Sequence, residues 1–269
     1  LQTDMESSLT SKTLIARRFA RSGPTYDRAA IVQHDMAHQL VRLLGQVLQS
    51  TQLEHVLELG CGTGLLTELL VQRFGIQHLT LNDIVPDLSG VALRCSRRGQ
   101  DPRVSGIRFT LCPGDMETIQ LPADQDLVAS NAVLQWATAP QAMLERMIDA
   151  VKPGGVLAIA TFGPDNLQET RDVTGRSLHY LPLSALHTAL AARTEVLICE
   201  EETRTISFES AYAMLKHLQR TGVNGLDQRP WSPRAVKEFC TVYESRFRAG
   251  GRVPLTYHPI IVVARRREV

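Results

Sequence analysis

The stretch His55-Val56-Leu57-Glu58-Leu59-Gly60-Cys61-Gly62-Thr63-Gly64, followed by Leu65-Leu66-Thr67-Glu68-Leu69-Leu70, decides the fold. It begins as an apolar run of strand length, passes through three alternate glycines and continues with helical spacing. A strand that turns through glycines into a helix lets backbone amides approach a ligand closely. The helix start it leads into favours negative groups. A dinucleotide fingerprint would put its third glycine at position 65. That position is Leu65, and the glycine falls one residue early at Gly64. Leu65 therefore disfavours a nicotinamide oxidoreductase.

On the N-terminal side, Ala29 to Gln49 is helical in pattern, with Val32, Met36, Leu40, Leu43, Leu44, Val47 and Leu48 on one stripe. On the C-terminal side, strands are expected at Leu79–Asn82, Ile107–Cys112, Asp126–Ser130 and Val156–Phe162. Helices are expected at Leu65 to Phe74, Pro86 to Arg98 and Pro140 to Val151, and Lys152-Pro-Gly-Gly155 reads as a turn. Alternating strands and helices argue an α/β fold, a mostly parallel sheet with helices on both faces. The apolar run Val156 to Ala160 agrees, because a strand covered on both faces has no wet side. Further on, a strand at Arg204–Phe208 precedes two helical stretches, Ser210–Arg220 and Pro233–Arg248, and then the β-rich Leu255–Val263. The organisation expected is therefore N-terminal helices covering the site (1–52), an α/β core (53–208), a helical lid insert (209–252) and the final core strand (253–269).

The 269 residues include 29 Lys and Arg against 28 Asp and Glu, a net charge of +1. That balance excludes a globally basic nucleic-acid binder and a disordered charged tail. No apolar run has the length to span a bilayer, and the first residues carry no signal-peptide core. The chain opens on Leu1, and Met5 is a candidate native start. Five scattered cysteines without a CxxC pair point to reduced thiols in a cytoplasmic protein. The histidines show no metal-ligand spacing, and His34 and His38 lack a third ligand. No metal is expected.

Asp83 ends the second strand about twenty residues past the glycine loop. A carboxylate there can accept both hydroxyls of a ribose, or it can cap the helix that follows. Gly114-Asp115-Met116 follows the third strand, and Asp115 can serve a ligand or a turn.

Taken together, Glu58-Leu-Gly-Cys-Gly-Thr-Gly64, Asp83, Gly114-Asp-Met116 and Lys152-Pro-Gly-Gly155 resemble the motifs of class I S-adenosylmethionine-dependent methyltransferases over roughly Val56 to Phe162. The resemblance implies a Rossmann-like seven-stranded sheet and S-adenosylmethionine as cofactor. It places the methionine half on Glu58, Gly60, Cys61, Gly62 and Gly64, the ribose on Asp83, the adenine amino group on Asp115 and the ring beside Met116. Cys61 is a small loop filler here, since no paired base would activate it.

A second resemblance spans nearly the whole chain. Ile15-Ala-Arg-Arg-Phe-Ala-Arg21 with Tyr26-Asp27, Ser130-Asn-Ala-Val-Leu-Gln-Trp136 and Phe162-Gly-Pro-Asp-Asn-Leu-Gln-Glu-Thr-Arg171 are similar to the malonyl-acyl-carrier-protein O-methyltransferases of biotin synthesis. That likeness implies esterification of a malonyl thioester's free carboxylate, which hides its charge so that fatty-acid enzymes can extend it. It adds Tyr26, Asp27 and Asn131 to the cofactor site. Substrate-positioning candidates are Tyr26, Gln135, Trp136, Tyr180 and Arg171, the last because a carboxylate suits a bidentate guanidinium. An ionised carboxylate needs no general base, so no catalytic acid–base residue is expected. Arg17, Arg18 and Arg21, or Arg94, Arg97 and Arg98, are candidate docking clusters for an acidic carrier protein. The Arg265-Arg-Arg267 run does not argue a nucleic-acid partner, and neither nucleic acid nor a membrane is expected as one. The alternatives are a methyltransferase for another small acid or a quinone-like carbon, or a noncatalytic scaffold with the same fold.

Overall fold

The computed structural model describes residues 2–97, 106–222 and 231–268. Two helices lead, α1 (Gln2–Ala29) and α2 (Ile31–Val47). Then come β1 (Gln52–Leu59), α3 (Leu65–Arg73), β2 (Gly75–Asp83), α4 (Ser89–Arg97), β3 (Arg108–Pro113), β4 (Gln125–Asn131), α5 (Pro140–Ala150) and β5 (Val151–Phe162). The remainder holds α6 (Gln168–Thr174), α7 (Leu183–Ala191), β6 (Thr194–Glu201), β7 (Arg204–Phe208), α8 (Ala211–Arg220), α9 (Pro233–Phe247), β8 (Val253–Tyr257) and β9 (Pro259–Arg266).

Seven strands form one sheet in the order β3-β2-β1-β4-β5-β9-β6. β9 pairs antiparallel with β5 and β6, and the other neighbouring strands of this sheet pair parallel. The period-2 alternation of each central strand feeds two separate cores. Val156, Ala158 and Ala160 of β5 pack with Leu127 and Ala129 of β4 against the face that carries α2 and α3. Leu157, Ile159 and Val128 pack with Met143, Leu144, Met147 and Leu190 of α5 and α7 on the other face. The strand order reverses between β1 and β4, and ligands of open α/β sheets bind outside the carboxyl ends at such a point.

The structure departs from the sequence reading in four places. The turn expected at Lys152–Gly155 belongs to β5, which pairs at Val151↔Gln125 and shifts register before Leu127↔Val156. The helix expected from Pro86 begins at Ser89, because Asp83 Oδ1 accepts the Val85 amide at 2.8 Å and holds a turn first. The strand β6 has no counterpart in the sequence pattern; its alternation is blurred by half-buried positions at the sheet edge. The single strand expected over Leu255–Val263 is two strands that part at His258. There β8 pairs with β7 in a separate two-stranded sheet, and only β9 joins the main one. Residues 204–208 therefore leave the core sheet, and the segment 253–269 contributes to both sheets. The helices α8 and α9 lie between β7 and β8.

The C-terminal arginines have structural partners. Arg266 donates to the carbonyls of Ile148, Asp149 and Val151 at the end of α5, where a cation suits the helix dipole. Arg265 reaches the Val47 carbonyl and Arg267 that of Ala191.

Candidate active site

Three positive-φ glycines shape the loop after β1. Gly60 has φ +66°, and a Cβ there would meet Val133 Cγ2 at 2.2 Å. Gly62 has φ +52° and open space where its Cβ would stand, leaving the backbone accessible. Gly64 has φ +89°, precedes the first turn of α3 and lies against Val91 of α4. The neighbouring strand ends hold the loop. The Cys61 amide donates to the Asn82 carbonyl at 2.9 Å, and the Gly62 amide donates to Asp83 Oδ2 at 2.8 Å. Asn82 Nδ2 donates to the carbonyls of Cys112 and Gly114, so the loop after β3 is set by the same strand.

A cavity of about 460 Å³ opens between these loops and α1. Glu58, Gly60, Cys61, Gly62, Asp83, Asp115, Met116, Asn131, Tyr26 and Trp136 all line it. They come from five separate stretches of the chain, brought together by the strand order. Helix α1 covers it with Lys12, Ile15, Phe19, Gly23 and Tyr26 at three- and four-residue spacings, one face of a helix. Phe19 meets the edge of Trp136 at 5.2 Å between centroids.

The cavity wall is rich in carboxylates, with Glu58, Asp83 and Asp115 all lining it. Burial pushes the Glu58 carboxyl up to about 8, against the pull of Thr67, and the nearby Asp83 charge adds to the rise. Burial also raises Asp83, opposed by the amides of Val85, Gly62 and Ile84. Tyr26 is raised by burial and by Asp27 and Asp83, so its hydroxyl stays protonated. Cys61 is raised by burial and by Glu58 and Asp83, which leaves it a neutral thiol. Two buried acceptors in this wall, Glu58 Oε2 and Asn131 Oδ1, have no hydrogen-bond partner. A buried unpaired acceptor is costly unless a ligand supplies a donor.

The other expected residues lie outside this wall. Asp27 accepts the Thr63 hydroxyl at 2.6 Å, pinning α1 to the glycine loop. Gln135 is buried with its amide engaged: Nε2 donates to the Ala132 carbonyl and Oε1 accepts the Thr161 hydroxyl. Arg171 donates to the Pro164 carbonyl at 2.6 Å. Tyr180 accepts from Asn166 Nδ2 at 2.9 Å, and burial pushes its hydroxyl up to about 12 against the nearby Arg171 charge. Arg171 and Tyr180 thus form a separate cluster beyond the end of β5.

The methyltransferase-domain family matches residues 57–159. Along almost the whole chain, the sequence is 36% identical to the malonyl-acyl-carrier-protein O-methyltransferase of Bacteroides helcogenes, covering 96% of this chain and 99% of that one. The protein of that name from Haemophilus ducreyi is 37% identical, covering 94% of this chain and 96% of its own. The chain belongs to the malonyl-acyl-carrier-protein O-methyltransferase family. Among solved structures, a Bacillus halodurans protein described as a candidate methyltransferase superposes with a TM-score of 0.61 at 16% identity, covering 85% of this chain and 99% of that one. The [4+2]-cyclase SpnF superposes at 0.52 with 20% identity, covering 86% of this chain and 81% of that one. These likenesses show the fold.

For a member of this methyltransferase family, the donor set suits S-adenosylmethionine. Unpaired acceptors at Glu58 and Asn131 match an ammonium, Asp83 matches diol hydroxyls, and the open face of Gly62 allows close backbone approach. The motifs did not disclose Lys12. Its Nζ reaches Asp115 Oδ1 at 3.3 Å, Glu117 Oε2 at 2.6 Å and the Trp136 carbonyl at 3.1 Å. The α1 stripe from Lys12 through Phe19 to Tyr26 was the available signal. Among the described residues no cluster could hold a metal ion, and no helix is long and apolar enough to cross a membrane.

Of the docking clusters, Arg17 and Arg21 are exposed on α1, while Arg18 is half-buried. Arg94 is engaged with the Thr63 carbonyl and Glu68. The side chain of Arg97, and Arg98 as a whole, lie outside the described residues.

Proposed function

We propose that the chain esterifies the free carboxylate of malonyl-acyl-carrier protein, with S-adenosylmethionine as methyl donor, in early biotin synthesis. The observation that carries this reading is the end-to-end match to relatives of that name. When bound, S-adenosylmethionine supplies a methyl group already activated by its sulfonium. The malonyl carboxylate is ionised at neutral pH, so the protein supplies binding, orientation and exclusion of water. Raised hydroxyls on Tyr26 and Tyr180 and a raised thiol on Cys61 agree with a site that holds no base among them.

In this reading Glu58 and Asn131 accept from the cofactor's ammonium, and Gly60, Cys61 and Gly62 present the backbone edge. Asp83 accepts the ribose hydroxyls, Asp115 the adenine amino group, and Met116 flanks the ring. Gly64 and Asp27 act from behind, by forming the loop and by tying α1 to Thr63. Tyr26 and Trp136 border the route to the acceptor. Arg171 and Tyr180 hold the acceptor's carboxylate. Gln135 supports the loop after β4 through its two core hydrogen bonds. Arg17 and Arg21, on the outer face of α1, offer positive charge to an acidic carrier.

Complementation tests the reading as a whole. A strain lacking its malonyl methyltransferase should grow without biotin when this gene is supplied. Failure of an expressed, folded protein to restore growth would count against the acceptor assignment.

A further inference from the structure

The cavity is covered by a helix pinned at two points. At one, Asp27 accepts the Thr63 hydroxyl of the glycine loop. At the other, about four helical turns earlier, Lys12 meets Asp115, Glu117 and the Trp136 carbonyl. That separation spans about 22 Å of helix, enough to roof a nucleoside with its side chain. Between the pins, Ile15, Phe19 and Tyr26 face the cavity.

The Lys12 pin is well buried, with 14% of its side chain exposed and 21% and 16% of its two carboxylate partners. Burial alone would raise Glu117, yet Lys12 and the amides of Thr138 and Ala139 leave it below its ordinary value. Glu117 also accepts those two amides at 2.9 Å, just ahead of α5. One ammonium therefore joins α1 to the loops after β3 and β4. On Asp115 it shares Oδ1 with the Glu117 amide. Both bonds fall on the same oxygen, so the carboxylate is held in one orientation and Oδ2 is left for a ligand.

We propose that Lys12 is a positioning residue of the cofactor site. It latches α1 over the cavity and orients Asp115, and its contacts set how fast cofactor and demethylated product exchange. The proposal rests on the cofactor reading but not on the identity of the methyl acceptor. A pair this buried is screened far less by salt than a surface pair, so release from the parent protein should change little with ionic strength.

The test is the dissociation rate of S-adenosylhomocysteine from the purified full chain, followed by the fluorescence of Trp136 in a Trp231→Phe background. Lys12→Met should release it at least tenfold faster. Lys12→Arg should restore much of the slow release. With cofactor bound, trypsin should cut at Arg17 and Arg21 slowly in the parent protein and quickly in Lys12→Met. A merely structural lysine would lower the melting temperature and leave both the release rate and the protection of Arg17 and Arg21 from trypsin unchanged. That result, or a parent-like release rate in folded Lys12→Met, would overturn the proposal. If Lys12→Met fails to fold, Glu117→Gln supplies the same comparison from the other side of the pair. A parent protein that binds no S-adenosylhomocysteine would overturn the cofactor reading and this proposal together, whereas loss of malonyl transfer alone would leave it standing.

Discussion

The carboxylate of Asp83 accepts the amide hydrogen of Gly62 at 2.8 Å, joining the end of β2 to the glycine loop that follows β1. Its other oxygen holds the Val85 amide at the same distance. One side chain therefore shapes the loop and faces the cavity. Asp83→Ala should weaken S-adenosylhomocysteine binding roughly tenfold to a hundredfold, the range for hydrogen bonds to a charged group. Isothermal titration checks this; unchanged affinity would remove Asp83 from the site.

Glu58 gives a pH signature. Its carboxyl ordinarily titrates at 4.5 and is pushed up to about 8 in the folded chain. Between those values the native state binds more protons than the unfolded state. Stability from this group is thus full below the lower value and declines as pH rises towards the upper one. A cationic ligand favours the ionised carboxylate, so cofactor affinity should increase from about pH 6 to about pH 8, with proton release on binding. Glu58→Gln should flatten both profiles. An equally steep affinity profile in that variant would assign the effect to another group.

Gly60 has no room for a side chain: its φ is +66°, and an added Cβ would stand 2.2 Å from Val133 Cγ2. Gly60→Ala should lower stability by more than about 1 kcal/mol through backbone conformation alone, with a further loss from the clash. Val133→Ala in the same chain should recover part of it, since the clash lies with that side chain. Denaturant melts of the single and double variants provide the comparison.

Arg171 and Gln135 should separate by their effects. Arg171→Ala should raise the KM for malonyl-carrier protein while leaving cofactor affinity alone. Gln135→Ala should cost about 1–3 kcal/mol of stability by stranding its buried partners, with KM little changed. Steady-state kinetics beside thermal melts distinguish the two; normal kinetics in Arg171→Ala would take that residue out of the acceptor site.

The central fold was legible because its signals are local. A doubly covered strand such as Val156–Ala160 reads as an unbroken apolar run, and the glycine loop directly follows its strand. The edge was less legible. Thr194–Glu201 mixes half-buried and charged positions, so no clean period marks it. The apolar stretch around His258 hides a change of sheet, because both strands flanking it are buried. In the cavity, the residues carried by motifs lie where short-range spacing predicts. Lys12 escaped the motifs for a physical reason: the α1 stripe marks the face it lies on, but its partners are more than a hundred residues away and no local pattern encodes those contacts.

Methyl transfer itself is read from the mass of malonyl-acyl-carrier protein after incubation with this protein and S-adenosylmethionine. The malonyl carrier should gain one methyl ester, absent with the acetyl-loaded carrier and absent when S-adenosylhomocysteine saturates the site. An unmodified malonyl carrier, under conditions where the protein demonstrably binds the cofactor, would contradict it.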